Sequence, residues 1–469
     1  MKNTSYFRIC IFLLGLVAGS SLSAQALRGG YFSENATLRN RLNPAMMPSH
    51  GYIGIPGIGN LAFGVYSNLG ADNFLFPTEG SLLTFLHPDV PAADFLAKLP
   101  ENPYLNAEMD ADVLSFGFYS GQRSFWSFDV SVRADVQTNL ARDLFVFAKQ
   151  GISGNPTHYT LRDFSIHQDL YAEAALGYSR DLSDWIEGLH VGAKAKFLVA
   201  LERIYLKINR ADLTFSHKEW SVNTDAVGIV MGKGIRMPKN QNEKFVQPQL
   251  KDMGIGGFGF GVDLGVEYEF NLGIPFLDGL RLSASVTDLG LLNFQEDYVQ
   301  QLTSAGSFTY KGLQDVVVED YDLEAAFSRI MDEIVALGNF QEVDLTEGSS
   351  YSTTPRLYLG VEYPFCYNKM SVGMLYYSRF RHNYTEQELT FSYNLRPCRW
   401  FAVGVNYSTM NYANSIGWLL EITPKRGLNF FIGSDYTVLN ITPQFLPIDQ
   451  FVTNLRFGLS VALGGPKEK

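Results

Sequence analysis

The most constraining stretch of the chain is Phe258 to Phe270. Phe258, Phe260, Val262, Leu264, Val266, Tyr268 and Phe270 fall on one parity, and Gly259, Gly261, Asp263, Gly265, Glu267 and Glu269 on the other. Period two puts the first set on an apolar face and the second on a small, acidic one. At roughly 3.3 Å per residue the run reaches about 40 Å, whereas ordinary globular strands hold about 5–6 residues. A strand tilted near 45° crosses a bilayer with about 9–11 residues. The stretch therefore reads as a membrane-spanning β-strand, apolar toward lipid and polar toward a lumen.

The pattern recurs. Trp126, Phe128, Val130, Val132, Ala134 and Val136 alternate with Ser127, Asp129, Ser131, Arg133 and Asp135. Leu170 to Tyr178 repeats it, and so does Leu189 to Leu201, with Lys194 and Lys196 on the polar side and a parity slip near Arg203. Leu280 to Val286 continues the series, and a weaker strand is expected over Leu213 to Val222. The last third holds seven short alternating runs separated by turns, from Leu357–Tyr363 to Leu455–Leu463. Their spacing is that of up-and-down hairpins. The reading is an all-β, transmembrane antiparallel β-barrel of about fourteen strands. On this reading Phe260, Leu264, Val130 and Val199 face lipid, and Asp129, Lys196, Asp263 and Glu267 face the lumen.

Composition agrees. Charged residues are 18% and aromatics 14%, which suits a lipid-facing surface. A mean hydropathy of -0.03 does not argue otherwise, because alternation averages to zero. No stretch reaches 18 apolar residues, so no spanning helix is expected. Residues 1–24 read as a signal peptide, with Lys2 and Arg8 before the apolar run Ile9–Ala18 and cleavage after Ala24. The alternative is an uncleaved anchor. The expected location is the outer membrane. The mature chain would carry 35 basic against 48 acidic residues, which disfavours nucleic acid as a partner.

Residues 25–60 precede any good strand, and Pro44, Pro48 and Pro56 forbid a central strand there. Residues 61–469 carry the barrel pattern, beginning at Leu61. Pro91 to Leu99 suggests a helical turn or two, and 137–168 reads as a polar connection. One short amphipathic helix is expected, with Leu323, Ala326, Phe327, Ile330, Ile334 and Leu337 at helical spacing and an acidic opposite face.

Chemistry-bearing motifs are sparse. Gly254 to Gly259 matches G-x-G-x-x-G, but a strand follows where a nucleotide site needs a helix, so the run reads as an entry into a strand facing a crowded lumen. The seven histidines show no metal spacing, and hydrolase and phosphate-loop motifs are missing. The chain reads as a non-enzyme without cofactor. Cys366 and Cys398 are the cysteines left after cleavage, and the exported compartment permits oxidation. They lie in turns two strands apart on one side of the membrane, displaced by about 10 Å, so a disulfide forms only where those turns lean together. The bridge is expected, against the alternative of two free thiols.

The segment Asn40-Arg41-Leu42-Asn43-Pro44-Ala45 resembles the Asn-Pro-Ala element near the mature N-terminus of FadL-like outer-membrane proteins. Ser67–Gly70, Thr84–Pro88 and Leu114–Phe118 look like runs from an outer-membrane barrel family of the Bacteroidota. The resemblance implies a fourteen-stranded barrel with an N-terminal lumen hatch at residues 25–60, marked by Asn43, Pro44 and Ala45. Several FadL-like proteins move hydrophobic molecules into the cell, and a related group similar to PorV serves type IX secretion. Two functions follow as expectations: passive uptake of hydrophobic or amphipathic small molecules, or a structural, secretion-associated barrel that docks partner proteins. The partners implied are outer-membrane lipid, the outer-membrane assembly machinery and a hydrophobic small-molecule ligand. One departure from the pattern is the end of the chain, where Gly464 to Lys469 follows the last strand in place of an aromatic terminus.

Overall fold

Strands with one apolar face must pair until no edge remains, because an unpaired backbone group in hydrocarbon finds no partner. In the computed structural model fourteen strands do so and form a closed antiparallel barrel. It describes residues 27–466 apart from 35–36, 79–80, 152–156, 216–219, 237–253, 272, 275–277, 305, 311–339, 344–348, 382–383, 411–413, 425–426 and 438–449. β1 is one wall strand in two pieces, Gly51–Gly54 and Leu61–Gly70. β2 (Tyr104–Tyr119), β3 (Ser124–Asn139), β4 (Thr157–Asp181) and β5 (Leu189–Phe215) follow. β6 is again in two pieces, Trp220–Gly232 and Gly257–Glu269, and β7 is Arg281–Phe294. Then come β8 (Arg356–Phe365), β9 (Met370–Phe380), β10 (Thr385–Cys398) and β11 (Phe401–Met410). β12 (Asn414–Ile422), β13 (Leu428–Ser434) and β14 (Gln450–Gly464) complete the ring, and both pieces of β1 pair with β14 and with β2.

The wall divides its residues as the alternation demands. Phe260 is 71% exposed and Leu264 52%, while Asp263 between them is 2% exposed. Val130 and Val199 are partly exposed on the same outer face. Outward apolar side chains continue around the ring through Leu291, Leu359, Val372, Phe391, Val405, Ile416 and Leu455. Short turns join β2 to β3, β8 to β9 and β10 to β11 at one end, and long segments join β1 to β2 and β3 to β4 at the other.

β4 and β5 hold 25 and 27 residues, about 80–90 Å of strand, and so project beyond the bilayer at the long-loop end. There the first piece of β6 and the short strands Val299–Ser304 and Phe340–Val343 extend the sheet. Ile204, Leu206, Ala226, Val230 and Leu302 give this extension its own apolar core. The helix α1 (Ala92–Lys98) lies in the β1–β2 connection and α2 (Arg142–Gln150) in the β3–β4 connection. Leu144 and Phe147 of α2 pack on the core of the extension, and its Phe145 packs with Phe85 and Phe95.

Several expectations are corrected. The wall begins at Gly51, ten residues before Leu61, because residues 55–60 leave the ladder as a bulge and Gly51–Gly54 pairs on both sides. Residues 51–60 therefore belong to the wall and not to a hatch. The connection 137–168 contains α2 and the start of β4. No strand spans Leu213 to Val222, since β5 ends at Phe215 and β6 starts at Trp220. The parity slip near Arg203 is a one-residue bulge at Leu201: Leu170 pairs with Glu202 and Tyr171 with Ala200. The signal peptide and the helix over Leu323 to Leu337 lie outside the described residues.

Candidate functional site

The lumen is occupied by the chain's own N-terminal segment, residues 27–50. Leu27, Tyr31, Phe32, Leu38, Leu42 and Met46 pack on Tyr358, Leu375, Tyr377, Leu419 and Phe431 of the wall. Tyr31 stacks on Tyr358 with ring centroids 5.8 Å apart. A single helical turn, Arg39–Leu42, precedes Asn43. Such irregular backbone is tolerated at membrane depth only where protein or water satisfies it.

The Asn-Pro-Ala element is held from several sides. Asn43 Nδ2 donates to Tyr31 Oη at 3.1 Å and to the Val266 carbonyl at 3.3 Å, while its Oδ1 accepts from Ala45 N at 3.0 Å. Asn40 Nδ2 donates to the Pro44 carbonyl at 3.0 Å, and Ser179 Oγ donates to the same oxygen. Two wall glycines make the room. Gly192 of β5 and Gly265 of β6 are cross-strand partners, and a Cβ on either would overlap Pro44 or Asn43.

Three charged clasps tie the segment to the wall. Arg28, only 1% exposed, lies 2.9 Å from Glu388 and 3.2 Å from Glu386, contacts the Tyr436 hydroxyl and sits 3.9 Å over the Tyr377 ring. The Arg28 and Gly29 amides donate to Asp435 at 2.7 and 2.8 Å. Glu34 pairs with Arg281 and Arg396 at 2.6 Å each. Burial opposes its charge, but Arg396, Arg281 and Arg39 together hold the Glu34 carboxyl down at about 2. Arg41 spans Asp112 at 2.6 Å and Asp129 at 2.9 Å.

The lumen-facing charges named from sequence occupy this network. Asp129 joins Arg41 to Lys194. Lys196 lies 2.8 Å from Asp263 and 2.6 Å from Asp288, and Glu267 faces Arg39 at 3.5 Å and His190 at 3.4 Å. Asp288 reaches inward from a left-handed bulge, φ 60°, and its amide donates to Asp263 at 2.7 Å. Sequence reasoning missed Arg28, Glu34 and Arg41; three arginines within the fourteen residues Arg28 to Arg41 were the available signal. Cys366 and Cys398 are free thiols. The expected bridge is not formed, and β9 stands between the two strands that carry these cysteines. Cys366 sits exposed in a run of three left-handed residues, and Cys398 pairs with Phe401 in a tight turn.

The architecture is thus that of a transmembrane β-barrel stoppered by its own N-terminal segment. The chain belongs to a family of unknown function, DUF5723, whose model matches residues 44–435. No curated protein matches it. Solved structures similar to it include a Pseudomonas aeruginosa FadL homologue, at 9% identity and TM-score 0.41, over 94% of this chain and 98% of that one. The Ralstonia pickettii toluene transporter TbuX is similar at 9% identity and TM-score 0.37, over 95% of each chain. The Pseudomonas putida toluene transporter TodX is similar at 9% identity and TM-score 0.34, over 94% of this chain and 95% of that one.

Proposed function

We propose that this protein is an outer-membrane barrel for passive uptake of hydrophobic or amphipathic small molecules, gated by residues 27–50. The observation that carries the reading is the stopper itself: it is held by ion pairs, hydrogen bonds and packing and by no covalent tie beyond its own chain. A lumen closed in this way can open without breaking the wall. An apolar layer lines the lumen toward the long-loop end, with Leu198, Met231, Leu292 and Phe294. The chain is exported on this reading, and the assembly machinery inserts it. Uptake of a labelled apolar or amphipathic solute into liposomes carrying the full-length protein, and carrying a variant lacking 27–50, tests it. Uptake should exceed that of protein-free liposomes and rise in the deletion variant. Equal uptake in all three samples refutes the reading.

A closed lumen also favours a second reading, a structural or secretion-associated barrel that docks partner proteins. The projecting sheet of β4, β5 and β6 would offer the docking surface. Crosslinking in native outer membrane separates the two, since recovery of the assembly machinery alone removes the docking reading.

A further inference from the structure

A small cavity lies between the N-terminal segment and the wall at the short-turn end of the barrel. Thr37 lines it from the segment, and Glu421, Thr423, Asn429, Phe431 and Ser460 line it from the β12–β14 side. It holds about 190 Å³ of free space counting its open side, of which the centre of a water molecule reaches about 10 Å³. That is room for about one water-sized body. The ladder explains the lining. The register that sets Glu421 against Phe431 and Ile422 against Phe430 brings Thr423 level with Asn429, and Asn429 pairs with Ser460. A hydroxyl, an amide and a second hydroxyl therefore stand inward in one row, with the Glu421 carboxylate at the next inward position.

What these side chains leave unpaired is oxygen. Among the described residues Glu421 Oε1, Thr423 Oγ1 and Asn429 Oδ1 are buried without a hydrogen-bond partner. The other ends are in use. Ser33 Oγ of the segment donates to Glu421 Oε2. Asn429 Nδ2 donates to His50 Nε2 at 2.8 Å and to Ser460 Oγ at 3.4 Å, which leaves the amide oxygen for the cavity. Glu421 is fully buried and makes no ion pair among the described residues. Arg396 is held by Glu34 at 2.6 Å and by Glu362 at 3.5 Å, and Arg39 by Glu267 at 3.5 Å. A buried carboxylate persists as an anion only where a cation or several donors meet its charge. A water in the cavity would donate to two of the three oxygens and leave that charge unmet.

We propose that this cavity is a sodium site that pins the N-terminal segment to the wall. Carboxylate, amide carbonyl and hydroxyl oxygens without nitrogen or sulfur select a hard cation and not a transition metal. One carboxylate matches one positive charge. Calcium takes about 6–8 oxygens and gains affinity with the number of carboxylates, more than this cavity supplies. A space for one water suits sodium better than the larger potassium ion. Ser33 and Thr37 complete the site only while the segment is seated, so a bound ion adds its binding free energy to the seated state. The site concerns how the segment seats, and it stands whether the barrel takes up solutes or docks partners.

The test uses full-length protein in lipid nanodiscs and follows amide protection of residues 27–50 by hydrogen exchange. Sodium chloride replaces choline chloride at constant ionic strength. Protection should rise saturably, by about tenfold at ten times the half-saturating sodium concentration. Potassium and calcium at matched ionic strength should protect less. Glu421→Gln keeps the shape and removes the charge; it should abolish the sodium response and leave protection in choline at or above that of the unaltered protein. Thr423→Val keeps the charge and removes one oxygen; it should raise the half-saturating sodium concentration about tenfold, as for one bond to a charged group. This second variant keeps the idea testable where Glu421→Gln does not fold. Equal protection in sodium and choline overturns the site, because a water or a proton on Glu421 then fills its role. A sodium response that survives in both variants overturns it as well, since the ion then acts elsewhere. Stronger protection by calcium than by sodium overturns the assignment of the ion.

Discussion

Arg28→Met should unseat the N-terminal segment while leaving the barrel standing. The arginine is buried between Glu386, Glu388 and Asp435, and Met fills much of its volume without its charge. Removing one partner of a buried ion pair costs about 3–5 kcal/mol, because the carboxylate left behind, here Glu388, is neither solvated nor neutralised, whereas Glu386 keeps Arg381. The wall strands keep their ladders, so the penalty falls on the seated state of residues 27–50. About 4 kcal/mol corresponds to roughly a thousandfold shift in the seated–unseated equilibrium. Hydrogen exchange followed by mass spectrometry reads this directly. Amide protection over residues 27–50 should fall by about that factor, and protection in β8, β9 and β10 should not change. A double variant, Arg28→Met with Glu388→Gln, should recover much of the protection, since replacing a whole buried ion pair is often nearly neutral. Unchanged protection in Arg28→Met would refute the clasp. So would equal loss across segment and wall, because the arginine would then support the barrel as a whole.

The remaining predictions concern the other contacts. Because the Glu34 carboxyl is held at about 2, below its ordinary 4.5, its contribution to seating is fully present above pH about 4.5 and is lost as pH falls toward 2. Protection of residues 27–50 should follow that acid limb, and Glu34→Gln should weaken seating at neutral pH and flatten the limb. Gly192→Val should displace Asn43–Ala45 and raise solute leakage without unfolding the barrel, read by liposome leakage and by circular dichroism. Phe260→Arg on the lipid face should cost about 2–4 kcal/mol in a reversible membrane-refolding titration, and a neutral effect there would place that strand outside the bilayer. Both thiols should alkylate without reductant in denatured protein, and protection of either would mean that a bridge forms after all.

How much of this was legible in the sequence depends on how many environments each segment meets. β3 and the second piece of β6 separate lipid from lumen along their length, so period two survives intact and both faces can be read. The upper halves of β4 and β5 turn their apolar face inward, with Leu161, Phe164, Ile204, Leu206 and Ile208, and the left-handed bulge at Asp163 breaks the parity of β4, so residues 157–168 read from sequence as a connection. α2 was missed for a related reason. Its nine residues are too few to establish a period beside Phe145 and Phe147, which serve two different clusters. Pro56 excludes a regular strand from the sequence and so puts residues 51–54 in the hatch, yet the wall places Pro56 in a bulge, where no ladder amide is required. The cysteine bridge failed on what strand spacing leaves out: it sets the distance between turns, not the direction in which left-handed residues such as Cys366 and Tyr367 point.

The clasps mark the deeper limit. Arg28 meets Glu386 and Asp435 across separations of 358 and 407 residues, and nothing local to Leu27-Arg28-Gly29 signals it. Gly265 falls on the small, acidic parity of its strand, but its meaning, and that of Gly192, needs the register that pairs them and the Asn43-Pro44 backbone laid against them. The glycines fix where the segment sits and the arginines fix how firmly. The two can therefore vary independently: a stopper seated in the same notch can be made looser or tighter through Arg28, Glu34 and Arg41 alone.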